Sequence, residues 1–293
     1  MCVTLHEARL GQTVIAGWRN PARRTHALLY GNEPENLAGV PNAMILHIPL
    51  DRDATLTQAN FIPTHGLRHV LDDMWAAAPK WQERMTRGGL LGVAGEPRGV
   101  SVFDMGSYTW IAATRALPED IYAALQEVAE DRRPQIGLPL IDWYQRTWPH
   151  DALAIGCFSA ARGGATEPVC VEYPPQKWGW LRYPATDAHG RIPRWGDQVT
   201  VDHRIIVGTD ELGLGGEARY REAARMDPRL AEALPQLAVG AELARVPMVQ
   251  GDFYIDWSSF AQGHQDRTGQ LIRAHGPAPS PAGHDDLIPV PLG

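Results

Sequence analysis

Cys2-Val3-Thr4-Leu5-His6-Glu7-Ala8-Arg9-Leu10-Gly11-Gln12-Thr13-Val14-Ile15-Ala16-Gly17-Trp18 opens the chain and decides how the fold is read. Val3 and Leu5 alternate with Cys2, Thr4 and His6, the two-residue period of a half-buried strand. Leu10-Gly11-Gln12 is a turn signal, and Gln12 to Trp18 is a second apolar strand. Residues 2–18 are therefore expected to form a β-hairpin.

The same reading extends outward. His26 to Tyr30 and Ala43 to Ile48 are short strands, with the turn-rich segment 31–36 between them. Thr64 is placed to cap a short helix through Leu67, Val70, Leu71 and Met74, and Gly88-Gly89 closes the helical region. Val100 to Ala113 is rich in strand formers, with Gly106 as a bulge. Pro118, Glu119 and Asp120 start a helix that carries Ile121, Ala124, Leu125 and Val128 at helical spacing, with Arg132 and Arg133 at its far end. A second helix is expected over Leu140 to Thr147. Ala152 to Phe158 is a continuous apolar run, as in a buried central strand. Residues 161–195 are loop-rich and carry Trp178 and Trp180. Val199 to Val207 is strand-like, and Glu217 to Leu243 is the longest helical stretch, broken near Pro228 and Pro235.

Strands interrupted by clustered helices favour an α+β fold: β-rich layered sheets with helices packed on their faces, not a doubly wound sheet. No linker divides the chain, so residues 1–275 are expected to form one globular domain and residues 276–293 a Pro- and Gly-rich flexible tail.

Composition narrows the function. The chain has 293 residues, 44% apolar and 21% charged, which is ordinary for a soluble globular protein. The net charge of −7 argues against nucleic acid as the main partner, because phosphate binding needs a basic field. No secretory signal and no membrane-length apolar run is visible. Three cysteines without a Cys-x-x-Cys pair make a disulfide framework unexpected, and Cys157 and Cys170 read as reduced thiols in a cytoplasmic protein. No cofactor is expected, and a small-molecule substrate is the expected partner.

The chemically strongest candidate is Cys2. A small residue after Met1 permits Met removal, which leaves a thiol and a free α-amine on one residue. That pair is a nucleophile with its own base. Met1-Cys2, the strands that follow, and Gly17-Trp18-Arg19-Asn20 resemble the start of the choloylglycine hydrolase and penicillin acylase group of N-terminal nucleophile hydrolases. That group opens on Met-Cys and carries a Gly-Arg-Asn-x-Asp motif after its second strand. Here Trp18 intervenes in the motif and Ala22 stands where the Asp would be. The resemblance implies an amide (C–N bond) hydrolase with Cys2 as nucleophile and Arg19 positioning substrate or amine.

Other residues carry further readings. Arg19, Arg23 and Arg24 form a small basic cluster suited to a carboxylate or phosphate. Asp187 and His189, two apart, share a face if extended and lie in a segment suited to a binding loop. Asp202 and His203 point to opposite faces of a strand and are not expected to pair. His65, His69 and Asp73 would share one face of a helix and could serve a metal-dependent hydrolase. Gly213 to Ala218 fits a dinucleotide-type pattern, but the residues after it read as helix, so we reject NAD binding. A reading from another class is a non-enzymatic binding or scaffold protein that uses the Trp-rich 178–195 region and the Pro-rich tail.

Overall fold

Val3–Thr4 does not pair with the strand that follows it. In the computed structural model, which describes residues 3–79, 98–160, 167–243, 245–263, 272–274 and 287–289, the elements run in this order. The first half holds β1 (Val3–Thr4), β2 (Ala8–Asn20), β3 (Thr25–Asn36), β4 (Asn42–Ile48), β5 (Phe61–Ile62), α1 (Val70–Ala77), β6 (Gly99–Met105), β7 (Tyr108–Thr114), α2 (Pro118–Glu127) and α3 (Leu138–Thr147). Next come β8 (Ala152–Phe158), β9 (Val169–Tyr173), β10 (Trp180–Tyr183), β11 (Ala188–His189), β12 (Gln198–Val201), β13 (Arg204–Gly208) and β14 (Gly216–Glu217). The chain continues with α4 (Pro228–Ala233), β15 (Leu237–Glu242), β16 (Val246–Val249), β17 (Phe253–Asp256), α5 (Trp257–Gly263), β18 (Ile272–Ala274) and β19 (Leu287–Pro289).

Two large sheets form the body. One has the strand order β11-β1-β4-β8-β7-β6, the other β14-β15-β13-β2-β3-β9-β5. The expected hairpin over residues 2–18 is thus replaced by strands in different sheets. β1 lies between β4 and β11, while β2 pairs antiparallel with β3, from Ala8 opposite Asn36 to Asn20 opposite Thr25. Gln12 is not a turn but the site of a β-bulge, with φ +50° and a register shift between Gly11 and Val14. The 31–36 segment continues β3, because it has the start of β2 to pair with.

Alternating side chains explain the layers. In the second sheet, Ile15, Leu28, Tyr30, Ile205 and Val207 face Met44, Leu46, Trp110, Ala112 and Phe158 of the first. The outer face of the first sheet, with Ile45, Ile111, Leu153 and Ile155, packs on Ile121 and Leu125 of α2 and Ile141 and Tyr144 of α3. The outer face of the second, with Val14, Ala16, Trp18, Leu29 and Ile206, packs on Val70, Leu71 and Met74 of α1 and Leu230 of α4. The architecture is α+β, helices–sheet–sheet–helices. The expected central strand is found: every residue of β8 is buried, between β4 and β7. A smaller sheet, β10-β17-β18-β19, adds Leu181, Tyr183, Phe253 and Ile255 to the inter-sheet core.

Local expectations differ from the structure in further places, among them the segment 161–195, read as loop-rich, which holds β9, β10 and β11. Val100–Ala113 is a hairpin, β6–β7, whose two-residue turn uses Gly106 at φ +58°. Val199–Val207 is two strands in different sheets, parted at Asp202-His203. The helix predicted from Thr64 starts only at Val70, after a left-handed Gly66 at φ +77°. Glu217–Leu243 is not a long helix. Pro228 starts α4, the helix ends before Pro235, and Leu237–Glu242 pairs with β13 instead. Sheet pairing there overrides local helix preference. Gly88-Gly89 and most of the 276–293 tail lie outside the described residues; within the tail, Leu287–Pro289 is paired strand. Among the described residues no helix is long and apolar enough to cross a membrane.

Candidate functional site

The N-terminal strand sits beside two of the residues singled out by the sequence. β1 runs parallel to β11, with Val3 opposite Ala188 and Thr4 opposite His189. Thr4 Oγ1 and His189 Nδ1 are 2.9 Å apart, and the Thr4 hydroxyl donates to the His6 carbonyl at 2.9 Å. With that proton committed, His189 Nδ1–H is the donor to Thr4. The other ring nitrogen, Nε2, lies 2.9 Å from Asp187 Oδ1. That approach lacks hydrogen-bond alignment, so Asp187 Oδ1 is a buried acceptor without a hydrogen bond among the described residues. Thr4 is fully buried and Asp187 nearly so, while His189 reaches a cavity of about 690 Å³ that also borders Ala8, Gly11, Asp202 and Arg204.

The segment that carries Asp187 is fastened from behind. Gln250 accepts the Asp187 amide at 2.8 Å and donates to its carbonyl. Asp252 Oδ1 accepts the Ala185 and Thr186 amides at 3.0 and 3.2 Å and the Thr186 hydroxyl at 3.0 Å. Its other oxygen takes His47 Nε2 at 2.6 Å and Arg182 Nε at 2.9 Å. Arg182 Nη1 donates to Asp151 at 2.6 Å, and Gln176 closes the chain on Asp151 at 2.9 Å. Burial alone would raise the Asp252 pKa, but His47 and Arg182 outweigh it and hold the carboxyl well below its usual range. Burial likewise opposes charge on Arg182, and Asp151, Tyr254 and Asp252 reverse it, so its pKa is raised. This network went unread in the sequence, because its members lie from residue 47 to residue 252 and share no spacing.

Arg19 and Arg23 stand elsewhere. Arg19 is at the far end of β2, roughly 35 Å along an extended strand from Ala8. The structure therefore does not bring Arg19 to the N-terminal strand. The Arg19 guanidinium carbon lies 4.1 Å from the Trp178 ring centre and 4.8 Å from that of Trp257, and its Nε is 3.5 Å from Glu211. Desolvation lowers the Arg19 pKa against the pull of Glu211. Arg23 pairs with Glu172 at 2.8 Å and Glu232 at 3.0 Å. Behind Trp178, buried His26 donates Nε2–H to the Trp178 carbonyl at 3.1 Å. Its pKa falls to about 3, chiefly from desolvation, with Arg19 adding to the fall. Trp178, in the Trp-rich segment, is thus part of an assembled site.

The other candidates are dispersed. His65 is exposed and lies off the helix, His69 sits just before α1, and Asp73 is taken by the Arg221 amide and guanidinium at 2.8 and 2.5 Å. Among the described residues no cluster of three His, Cys, Asp or Glu is placed to hold a metal. Asp202 and His203 do approach, at 3.6 Å, because the chain leaves strand geometry between β12 and β13. Gly213 to Ala218 form a turn with left-handed Gly213 and Gly215 and then β14, not the opening of a helix. Cys2 lies outside the described residues. Cys157 and Cys170 are buried free thiols, both with pKa raised by desolvation.

No protein-family model matches the chain, and no curated protein matches it in sequence. Among solved structures, a crystal structure of baculovirus P35 is similar over 98% of this chain and 87% of that chain, at 13% identity and a TM-score of 0.40.

Proposed function

We propose that the protein hydrolyses a carbon–nitrogen amide bond with Cys2 as an N-terminal nucleophile, exposed by removal of Met1. One observation carries the reading: Asp187 Oδ1 is a buried acceptor without a hydrogen bond, beside the strand that begins at Val3. Consecutive Cα atoms are about 3.8 Å apart, so Cys2 is one residue from Val3, whose partner is Ala188. Asp187 supplies the carboxylate that Ala22 does not, and it serves to hold the Cys2 α-amine.

The chemistry then runs as in nucleophilic acyl transfer. The Cys2 thiol gives its proton to its own α-amine as sulfur attacks the amide carbonyl. The amine passes that proton to the leaving nitrogen as the C–N bond breaks, which leaves a thioester. Water attacks the thioester carbonyl, the C–S bond breaks, and the acid departs with the thiol restored. Gln250, bonded to the Asp187 amide and carbonyl, and the pairing of β11 with β1 keep Asp187 beside the N-terminal strand.

The test is the mass of the N-terminal peptide together with turnover of an amide panel. The expected result is a chain starting at Cys2, with activity abolished in Cys2→Ala and cut at least tenfold in Asp187→Asn. A mature chain that keeps Met1, or a Cys2→Ala protein that still turns over amides, ends this reading.

A further inference from the structure

We infer that the cavity at the far end of β2 is a binding site for a small zwitterion, an α-amino acid with an apolar side chain. It stands apart from the N-terminal strand, and the inference does not rest on the hydrolase reading. The cavity measures about 370 Å³, within the range of small-molecule pockets, and Arg19, Glu211, Glu232, Leu234, Pro235 and Trp257 are on its wall.

Arg19 is built for planar anion recognition. Trp178 covers one aromatic contact of the guanidinium and Trp257 another, at 4.1 and 4.8 Å. Trp178 is itself placed by the His26 bond to its carbonyl, and Trp257 packs against Phe260 with ring centres 5.6 Å apart. The Arg19 side chain is only 11% exposed, so little freedom is left to lose on binding. Its contact with Glu211 is to Nε, at 3.5 Å, beyond good hydrogen-bond length. Nη1 and Nη2 make no hydrogen bond among the described residues and are not among the sealed polar atoms. That free edge matches the two oxygens of a carboxylate.

The remaining charges choose between a plain acid and a zwitterion. Glu211 and Glu232 line the same cavity, and Glu211 is partly desolvated, which raises its pKa against the pull of Arg19. Glu232 is already paired with Arg23, so it is Glu211 that a bare carboxylate would meet as a like charge, and an ammonium on the same ligand turns Glu211 into a partner. Leu234 and Pro235, both buried, supply the apolar wall for the side chain.

The experiment is calorimetric and tryptophan-fluorescence titration of the full chain with L-leucine, N-acetyl-L-leucine and L-leucinamide. Leucine is expected to bind saturably, and each blocked form at least tenfold more weakly. Arg19→Gln should abolish the signal. Arg19→Lys, which keeps the charge without the fork, should weaken it about tenfold with thermal stability retained. Absence of saturable binding by leucine overturns the site, as does unchanged affinity in Arg19→Gln. Equal binding of N-acetyl-leucine overturns the zwitterion.

Discussion

His47 lies flat against Trp148, with ring centres 3.7 Å apart and planes 11° from parallel, while its edge donates to Asp252 at 2.6 Å. The stack presents the imidazole edge-on to the buried acid, and Arg182 joins Asp252 to Asp151 behind it. Two substitutions separate packing from charge. His47→Phe keeps a ring on Trp148 but removes one hydrogen bond to a buried carboxylate, an expected cost of about 1.5–3 kcal/mol. Arg182→Met leaves Asp151 and Asp252 without their shared cation, an expected cost of about 3–5 kcal/mol. Urea unfolding of both proteins checks the order. An Arg182→Met protein as stable as His47→Phe would mean that the network is not held by its central cation.

Acid should act on the fold in two windows. Buried His26 titrates near pH 3 when folded, well below its ordinary value, because desolvation and then Arg19 oppose its charge. Above about pH 6.5 both states keep it neutral and its contribution is fully present. As pH falls from there toward 3, the unfolded chain binds a proton that the folded chain refuses. Stability drops by up to about 1.4 kcal/mol per pH unit. Asp252 is depressed in the folded state, so its stabilisation is present above about pH 4 and is lost only as pH falls further. Replacing His26 with Phe should therefore flatten the urea midpoint between pH 6.5 and 4 and leave the steeper fall below pH 4. A variant with the parent's slope in the upper window would show that His26 is not its source.

What the sequence made legible follows the range of the interactions. β8 and α2 were readable because Ala152–Phe158 is uniformly apolar and Pro118-Glu119-Asp120 is a local start signal. The hairpin at residues 2–18 was misread because partner choice is not local: Val3 found Ile45 and Ala188, and Gly11-Gln12 became a bulge rather than a turn. Leu237–Glu242 turned to strand because β13 offered an edge. At the sites, Asp187 and His189 were legible through their spacing of two. The acceptor gap on Asp187, the Trp178–Arg19–Trp257 stack and the His47–Asp252–Arg182–Asp151 chain depend on residues far apart in sequence.

Thiol chemistry offers a direct check on which cysteine is available. Cys157 sits in the central strand and Cys170 in β9, both fully buried, and desolvation pushes Cys157 up to about 12 and Cys170 higher still. The thiolate is the reactive form, so neither should alkylate in the native protein at neutral pH. Brief iodoacetamide treatment followed by peptide mass analysis should leave both unmodified until denaturant is added. Native labelling of either one at a rate like that of a free thiol would contradict the burial of β8 or β9.

Gly156 and Trp110 face each other across β7 and β8 as register partners, and the pair makes room for the indole of Trp110, which is fully buried in the inter-sheet core. A Cβ on Gly156 would stand 2.8 Å from the Trp110 ring, nearer than real methyl contacts come. Trp110 has no room to swing away, since Phe61 and Tyr108 hold it at centroid distances of 5.3 Å each. Gly156→Ala thus overpacks the middle of the sandwich and should cost about 1–3 kcal/mol. Pairing it with Trp110→Phe, which frees the indole's second ring, should recover part of that loss, as contacting residues couple in double-mutant cycles. Denaturant unfolding of the two single variants and the double variant reads the coupling. Strict additivity would mean that the glycine is not there to admit the indole.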